Sequence, residues 1–546
     1  MNSINVESIK KALTKIVGTR FVCADPGVLD TYAFNWNADN LSGGVSKFAN
    51  RPLCVVLPEK TAEIVKIVKF CNQNKLQFKA MSTGWGVHNS VGSERVIQLD
   101  LRRMNRILSL DSKNRIVVVE PYVSGAMLQA ELFKYKLNCH IQGCGANGSQ
   151  LATVTSMVGQ GWTGISTGFS NRNVLGVEWV MPDGQVCHLG SWGNIATSKQ
   201  NDPEDFEVNA SEWFLADGPG PSLRGAYRGY FGAFGGLGVF TKAAIKLYHW
   251  SGPEQLEIQG NSPTYNLKGS KLPAGVASYI LNWKTWEDFK DAGYALADSE
   301  VCWALCRIAP FITGLGIFPS NDEFYEKYEA LFGELKYNLM VITMADSKRE
   351  FKYQQKVIKE IVTQTNGEVF PMSQDPFFSA MTFMAMAKQC NTMRGVFRAG
   401  GGFFTSLGAL GSWDWCVEGA KVGEQLKQKA IDTGGLVNDG ADNVWGTPYE
   451  EGTFSHLEEL YMYDITDPES RKASVEYLKS VVEAAQEYPL GLGLGTVDGE
   501  GSAMHAIFGP LACNYHKWLK AIKQAFDPNN ASDPGFYLDP EKLKEK

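Results

Sequence analysis

Regular alternation of apolar and polar positions begins at residue 54 and predicts a strand–helix–strand unit. Residues 54–58 form a short apolar run that is typical of a buried strand. Thr61 then stands at the expected N-cap of a helix, because apolar side chains recur at helical spacing from Ile64 to Cys71. Residues 76–82 predict a second strand, which runs directly into a glycine-rich loop.

Two hairpins are predicted farther along the chain. Residues 107–121 hold two apolar runs on either side of a polar turn. Residues 173–190 form a second pair of runs, with Pro182, Asp183 and Gly184 at the tip, where these residue types favour a turn. A strand–helix–strand unit followed by hairpins predicts a mixed α+β fold and argues against a doubly wound sheet.

The pattern changes near residue 251, after a Ser-Gly-Pro sequence. Long helical stretches, such as residues 322–338 and 469–488, now alternate with aromatic-rich strands. This change predicts a second domain that extends to about residue 504.

Composition and charge narrow the class of protein. The chain has 546 residues, 44% of them hydrophobic and 20% charged, which indicates a globular protein of several domains. A net charge of -7 without a basic stripe argues against nucleic-acid binding. The N-terminus lacks the apolar run of a secretory signal, and no run is long enough to span a membrane. The eleven cysteines form no CxxC pair, so we expect reduced thiols and a cytoplasmic protein, or one held at a membrane through a partner.

The loop at residues 81–92, MSTGWGVHNSVG, carries the strongest local signal. Gly84 and Gly86 permit a close backbone approach, and Ser82 and Thr83 add hydroxyl donors, as a pyrophosphate requires. Turn formation alone is the alternative explanation, since the loop is neither a Walker sequence nor a GxGxxG motif. Two further glycine-rich segments, at residues 143–168 and 229–248, favour a long, narrow cofactor site.

The order of these motifs resembles the FAD-binding domain of the vanillyl-alcohol oxidase and p-cresol methylhydroxylase (PCMH) superfamily. The matching pieces are, in order, RPLCVVLPEKTAEIVKIVKFC, STGWG, VIQLDLRRMNRIL, VVVEPYVSGAMLQAEL, VLGVEWVMPDGQV, GGLGVFTKAAIKL and AIKQAFDPNNASDPG. They cover residues 51–248 and about the last thirty residues.

The resemblance implies the fold class and the domain organisation. We expect an α+β protein with a two-subdomain PCMH-type FAD-binding domain and an α+β cap domain built on an antiparallel sheet. The implied boundaries are an N-terminal helical extension at 1–50, the FAD-binding domain at 51–250, the cap at 251–504 and a returning C-terminal segment at 505–546.

The resemblance also implies the residues that bind FAD. They are Ser82, Thr83, Gly84, Trp85, Gly86, Val87, His88, Asn89, Ser149, Leu151, Thr153, Gly161, Thr163, Gly168 and Val239. In some relatives a loop histidine bonds covalently to the flavin, but there it follows two glycines directly. His88 follows Gly86 and Val87, so we predict a wall residue and a non-covalent flavin.

Hydride abstraction from a carbon that bears a hydroxyl requires a base, and histidine is the usual choice near neutral pH. His505 falls where the last cap strand of the family faces the flavin, so we predict it as the base; a structural, hydrogen-bonded histidine is the alternative. Tyr463 and Tyr461 could project from a strand into the substrate cavity, or could simply pack. Arg394 and Arg398 could clamp a carboxylate, or could form surface salt bridges.

Departures from the family pattern restrict the substrate. Phenol-oxidising members carry a Tyr just after the pyrophosphate loop, where this chain has Asn89 or Ser90. They also carry a Tyr-Arg pair in the last cap strand, where this chain has the sequence GEGSAMH. We therefore do not expect oxidation of para-substituted phenols. The metal-binding GDGN.H pattern of the D-lactate and glycolate branch has only a faint counterpart in TVDGEGSAMH, so no metal is predicted.

Three functions remain open at this stage. The first is an FAD-dependent dehydrogenase or oxidase of an alcohol, a hydroxy acid or an aromatic side chain, with hydride transfer to flavin N5. The second is an electron-transfer subunit that serves iron–sulfur or haem partners, and the third is a non-redox relative. The expected partners are a small-molecule substrate, an electron-acceptor protein, and further copies or subunits of a complex.

Overall fold

The computed structural model of the chain describes residues 5–33, 50–84, 89–143, 145–156, 159–190, 222–229, 232–261, 265–307, 309–388, 397–442, 444–487 and 501–543. Within these ranges no helix combines the length and the apolar character needed to cross a bilayer.

The first sheet is small and mostly parallel. Its strands are β1 (Val22–Cys23), β2 (Cys54–Val56), β3 (Gln77–Met81) and β4 (Val96–Asp100), in the order β1-β2-β4-β3. Helices α1 (Val6–Val17), α2 (Pro26–Tyr32) and α3 (Thr61–Gln73) accompany it. The predicted strand–helix–strand unit is confirmed, but the predicted N-cap at Thr61 is wrong. Lys60 is the N-cap, and the Thr61 hydroxyl instead donates to the buried Glu178 carboxylate at 2.7 Å.

The second sheet is antiparallel. Its strands are β5 (Ile107–Asp111), β6 (Ile116–Val119), β8 (Val174–Val180), β9 (Val186–Gly190) and β10 (Val239–Lys246), in the order β5-β6-β10-β8-β9. Helices α4 (Gly125–Leu132), α5 (Gln150–Thr155) and α6 (Gly164–Thr167), and the paired strands β7 (Leu137–Asn138) and β11 (Tyr248–His249), complete this region. Both predicted hairpins, β5–β6 and β8–β9, are confirmed.

Residues beyond 251 build a large antiparallel sheet. After the short pair β12 (Ile258–Gln259) and β13 (Asn266–Leu267) come β14 (Val276–Trp283), β15 (Ala304–Cys306), β16 (Tyr337–Met344) and β17 (Glu368–Val369), in the order β15-β16-β14-β17. Strands β18 (Gly401–Gly411), β19 (Val444–Tyr449) and β20 (Phe454–Asp464) follow in the order β18-β20-β19. A bridge between Arg307 and Gly446 joins the two groups of strands.

Helices cover the two faces of this sheet differently. The helices in this region are α7 (Trp286–Asp298), α8 (Pro310–Ile317), α9 (Asn321–Phe332), α10 (Lys348–Gln364), α11 (Pro376–Lys388), α12 (Trp413–Asp432) and α13 (Pro468–Glu487). One face packs against α7, α10, α12 and α13, and the other packs against α8, α9 and α11. The α+β fold class is thereby confirmed.

The C-terminal residues return to the first half of the chain through α14 (Gly501–Phe508) and α15 (Tyr515–Phe526). The Phe78 amide donates to the Ala531 carbonyl, and the Asp533 amide donates to the Phe78 carbonyl, each at 2.9 Å. The Lys523 ammonium is fully buried and holds this return with bonds to the Gly236 carbonyl, the Ser532 carbonyl and the Asp527 carboxylate.

Candidate flavin and substrate site

The predicted pyrophosphate loop follows β3 directly. Gly84 has φ of 70°, and among the described residues a Cβ built there would meet the Met81 sulfur, at 3.7 Å. The Asn89 amide donates to the Gly84 carbonyl at 2.8 Å and closes the bend. Ser82 and Thr83 lead into it, half-buried. The predicted residues Trp85, Gly86, Val87 and His88 lie outside the described residues.

The C-terminal end of this loop is anchored by a side chain of β3 and by the C-terminal segment. The buried Lys79 ammonium donates to the Ser90 carbonyl at 2.6 Å, and burial lowers the pKa of Lys79 to about 8. The Gly92 amide donates to the Asp533 carboxylate at 2.8 Å. A Cβ on Gly92 would lie 2.6 Å from Asp533 Oδ1 and 2.7 Å from Gly535 Cα, so the two segments touch through their backbones.

Replacing Gly92 with alanine is expected to weaken FAD binding about tenfold or more. The added methyl group would push the Asp533 segment off the loop, and overpacking of this kind costs about 1–3 kcal/mol. FAD titration of the apoprotein, followed by flavin fluorescence, measures the change. Gly225→Ala is the matched control, because its Cβ would meet no described residue within 4 Å. Equal FAD affinity in the two variants would contradict the role given to this contact.

The second predicted cofactor segment begins at α5. The Ser149 hydroxyl accepts from the Ala152 amide at 3.0 Å and thereby caps the helix, and Leu151 is buried beside it. The Thr153 hydroxyl is buried and makes no hydrogen bond to any described residue. A Cβ on Gly159 would lie only 2.1 Å from that hydroxyl, so the two segments pack closely.

His140 organises the rest of this segment, and the sequence analysis missed it. Its Nδ1 lies 2.9 Å from the Thr167 hydroxyl and its Nε2 lies 3.0 Å from the Gly159 carbonyl. Burial lowers the pKa of His140 to about 4, so the ring is neutral near pH 7. Gly161 approaches so closely that a Cβ would lie 2.3 Å from the Ile141 carbonyl oxygen. No periodicity marks His140 as special, because its partners lie about twenty to thirty residues away.

The remaining predicted cofactor residues occupy varied positions. Thr163 is buried, with its hydroxyl 3.4 Å from that of Thr167. Gly168 ends α6 with φ of 69° and faces Glu450 of the large sheet region. Val239 starts β10 opposite Val180, and its buried side chain packs in the core beneath the first sheet.

The hairpin of β19 and β20 contacts the glycine-rich segment directly. The Phe169 ring lies 4.4 Å from that of Tyr449 and 4.8 Å from that of Phe454. A Cβ on Gly164 would lie 2.0 Å from the Tyr449 ring, so only glycine fits there. Because Phe454 meets Phe169, the face of β20 that carries Phe454 is turned toward this segment.

A buried polar group lies on that same face of β20. His456 and Glu458 follow Phe454 at strand period, so all three side chains share one face. His456 is fully buried, and its Nε2 lies 3.2 Å from Glu458 Oε2. The Trp445 indole, on the neighbouring β19, donates to Glu458 Oε1. A histidine–carboxylate pair with an indole donor is a group that can accept and hold a proton.

Apolar side chains continue this face beyond Glu458. Leu460, Phe403 and Ile312 form one buried cluster, with Trp445 packed against it. The polar group and the apolar cluster together form the candidate substrate site.

Tyr463 and Tyr461 lie on the opposite face of β20. Their rings belong to the core beneath α12 and α13, where Tyr461 contacts Tyr477 edge-on with ring centroids 5.0 Å apart. The Tyr463 ring covers Gly402, where a Cβ would lie 2.5 Å from it. This position is that of a packing residue, away from the segment of residues 159–169.

Comparison with known proteins connects these features to one family. The FAD binding domain family matches residues 52–190. The structure superposes on substrate-bound p-cresol methylhydroxylase over 98% of this chain and 97% of that one. The TM-score is 0.72 and the sequence identity is 16%. It superposes on 4-ethylphenol oxidase from Gulosibacter chungangensis with a TM-score of 0.71 and 17% identity, over 99% of both chains.

A relative similar along most of its length is a probable mitochondrial D-lactate dehydrogenase of Danio rerio. It is 26% identical over 499 residues, which are 89% of this chain and 84% of that protein. The chain carries an FAD binding domain over residues 52–190 and is an FAD-dependent oxidoreductase with the fold of p-cresol methylhydroxylase. The predicted resemblance, enzyme class and cofactor are thereby confirmed.

The residues of this flavoenzyme fit FAD. Gly84 adopts the positive φ that a diphosphate-binding loop uses, and the buried Thr153 hydroxyl makes no hydrogen bond to any described residue, so it could donate one to the cofactor. The described ranges hold no group of three or more histidine, cysteine or carboxylate side chains that could bind a metal ion.

The other predicted site residues of the flavoenzyme are placed as follows. His505 lies on helix α14, so its expected position on a strand is wrong. Its Nε2 lies 3.1 Å from the Tyr537 carbonyl oxygen, and burial lowers the pKa of the ring to about 4. Arg398 donates to the carbonyls of Leu315 and Phe318, and Arg394 lies outside the described residues.

Proposed function

We propose that this flavoenzyme oxidises a small, neutral organic substrate, an alcohol or an aromatic side chain, on the face of β20 that carries His456 and Glu458. The observation that carries the proposal is the buried His456–Glu458 pair, held by the Trp445 indole, on the face turned toward the segment of residues 159–169. Bound FAD would supply the hydride acceptor, its N5 atom. The chain itself must bind the substrate, exclude water and take up the proton.

His456 is proposed as the base. Its hydrogen bond with Glu458 favours the tautomer that carries the proton on Nε2, and the carboxylate stabilises the imidazolium that forms when the ring takes a proton. The Trp445 indole donates to the other Glu458 oxygen and holds the carboxylate in position. Because His456 and Glu458 are buried, their interaction is stronger than it would be in water.

The charge of the site supports a neutral substrate. Glu458 is the buried carboxylate beside His456, and Trp445, which donates to it, packs against the apolar side chains of Leu460, Phe403 and Ile312. The guanidinium of Arg398 is engaged by two backbone carbonyls, so it does not act as the carboxylate clamp considered for a hydroxy acid. Relatives named for D-lactate and D-2-hydroxyglutarate dehydrogenation keep hydroxy acids as the second substrate class.

An anaerobic substrate screen tests this function. Aromatic and aliphatic alcohols, alkylphenols and 2-hydroxy acids are mixed with the holoenzyme, and loss of the oxidised flavin absorbance is followed. We expect bleaching by neutral alcohols or aromatic side chains. Bleaching by hydroxy acids alone would overturn the proposed substrate class, and bleaching by none of them would overturn the proposed oxidation.

The rate at which air reoxidises the reduced enzyme distinguishes oxygen from a protein as the electron acceptor. Rapid reoxidation supports an oxidase, whereas slow reoxidation supports an electron-acceptor protein, with iron–sulfur or haem proteins as the candidate class. The predicted cytoplasmic location stays a prediction, since relatives such as the Danio rerio protein carry mitochondrial names.

A further inference from the structure

The C-terminal helices carry a concentrated set of exposed apolar side chains. Ile507, Leu511, Tyr515 and Trp518 are 37%, 47%, 52% and 68% exposed. We call these four residues the C-terminal surface. Scattered single apolar residues are normal on a protein surface, but a group within so short a segment indicates an interaction site.

The charge of this segment is opposite to that of the chain as a whole. Residues 501–526 contain no aspartate and no glutamate, although the chain has a net charge of -7. Lys517 is exposed next to Trp518, and Lys520 is half-buried one turn of helix farther on. Within residues 501–526, a partner therefore meets apolar and aromatic groups together with lysine side chains.

The inner side of α15 holds the C-terminal surface in place. Leu519, Ile522 and Phe526 pack against the core of the antiparallel sheet of the FAD-binding half. Lys523 adds its buried bonds to the Gly236 and Ser532 carbonyls. Tyr515 and Trp518 therefore lie on an anchored helix whose orientation is fixed before any partner binds.

We propose that the C-terminal surface docks the protein on an anionic lipid bilayer. Tryptophan and tyrosine favour the boundary between headgroups and acyl chains, because each has an apolar ring and a polar group that can stay hydrated. Leucine and isoleucine add apolar area that the acyl chains bury. Lysine attracts anionic headgroups, and no acidic residue of the segment 501–526 opposes that attraction.

This inference is independent of the proposed reaction, since no residue of the C-terminal surface belongs to the His456 site. It differs from membrane attachment through a partner protein, because the contact with lipid is direct. A second copy of the chain is the competing occupant, and vesicle flotation together with sedimentation distinguishes the two.

Vesicle flotation of the FAD-loaded protein tests the proposal. Vesicles of phosphatidylglycerol with phosphatidylcholine are expected to carry the protein upward at low salt, whereas vesicles of phosphatidylcholine alone carry much less. The double variant Leu511→Gln, Trp518→Gln is expected to bind about tenfold more weakly or worse, since it removes two large apolar contacts. Lys517→Glu should also weaken binding to the anionic vesicles.

Tyr353→Gln is the matched control, because Tyr353 is 61% exposed on α10, outside this surface. It should float like the unchanged protein, and an unchanged flavin absorbance in every variant shows that the fold is intact. The proposal is overturned if the protein floats with neither vesicle, or if the double variant floats like the unchanged protein. A dimer in sedimentation that the double variant abolishes, without any vesicle binding, would assign the surface to a second copy.

Discussion

Replacing His456 with glutamine should lower the rate of flavin reduction by substrate about a hundredfold to ten-thousandfold, the usual contribution of a positioned general base. Glutamine keeps a polar side chain opposite Glu458 but cannot take up a proton near neutral pH. The buried pair of His456 and Glu458 is 3.2 Å apart, so the change acts inside a water-poor site. Anaerobic stopped-flow measurement of flavin bleaching, with a substrate found in the screen, gives the rate.

Two further histidine variants make this prediction specific. His249→Gln should reduce flavin at the unchanged rate, because His249 is an exposed partner of Asp346 on the surface. His505→Gln tests the base predicted from the sequence, whose ring is bonded to the Tyr537 carbonyl. A large loss with His505→Gln and none with His456→Gln would reverse our assignment. The FAD content of each variant, read from its absorbance, separates loss of chemistry from loss of cofactor.

Replacing Lys427 with methionine should destabilise the protein by about 3–5 kcal/mol, the usual cost of leaving a buried charge without its partner. The Lys427 ammonium is fully buried, 2.5 Å from Asp439 Oδ2 and 2.8 Å from Glu459 Oε1. It also donates to the Leu460 carbonyl at 2.6 Å. Burial raises the pKa of Glu459 to about 7 and also raises that of Asp439, so both carboxylates depend on this cation.

Urea denaturation followed by tryptophan fluorescence measures the loss of stability. Lys421→Met is the matched control on the same helix; its ion pair with Glu287 is at the surface, so we expect a change below about 1 kcal/mol. Adding Glu459→Gln to Lys427→Met should restore part of the stability, since one of the two unpaired carboxylates is then neutral. Equal stability of Lys427→Met and the unchanged protein would refute the account.

The buried Lys427 also supports the strand that carries the proposed base, His456. Glu459 and Glu458 are neighbours on β20 whose side chains point to opposite faces. The bonds of Lys427 to Glu459 and Leu460 therefore hold the strand from the helical side, behind Glu458. We expect a Lys427 variant that still folds to show a lower rate of flavin reduction as well.

Local sequence signals were sufficient for many elements. The hairpins β5–β6 and β8–β9 were predictable because their turn residues and apolar runs act over a few positions. The N-cap at Thr61 was predicted wrongly for the opposite reason. Its hydroxyl bonds to Glu178, which is 117 residues away, and no local pattern contains that contact.

The proposed His456 site also depends on a long-range contact that local sequence patterns do not contain. Period-two spacing correctly predicted a strand through Tyr461 and Tyr463, but alternation alone does not say which face meets the cofactor. The contact of Phe454 with Phe169 selects the face of His456 and Glu458 and leaves the tyrosines under the helices. His505 was expected on a strand, whereas the chain there forms helix α14.

The sequence alone predicted the α+β class, because turn chemistry and apolar period are properties of neighbouring residues, and the order of its motifs gave the resemblance that implied FAD. Only the tertiary structure decided which polar side chains share the buried face opposite the FAD-binding segment, and which apolar ones stay exposed on the C-terminal helices. Both outcomes depend on contacts between residues hundreds of positions apart, and the free energy of such packing is not encoded in any short stretch of the chain.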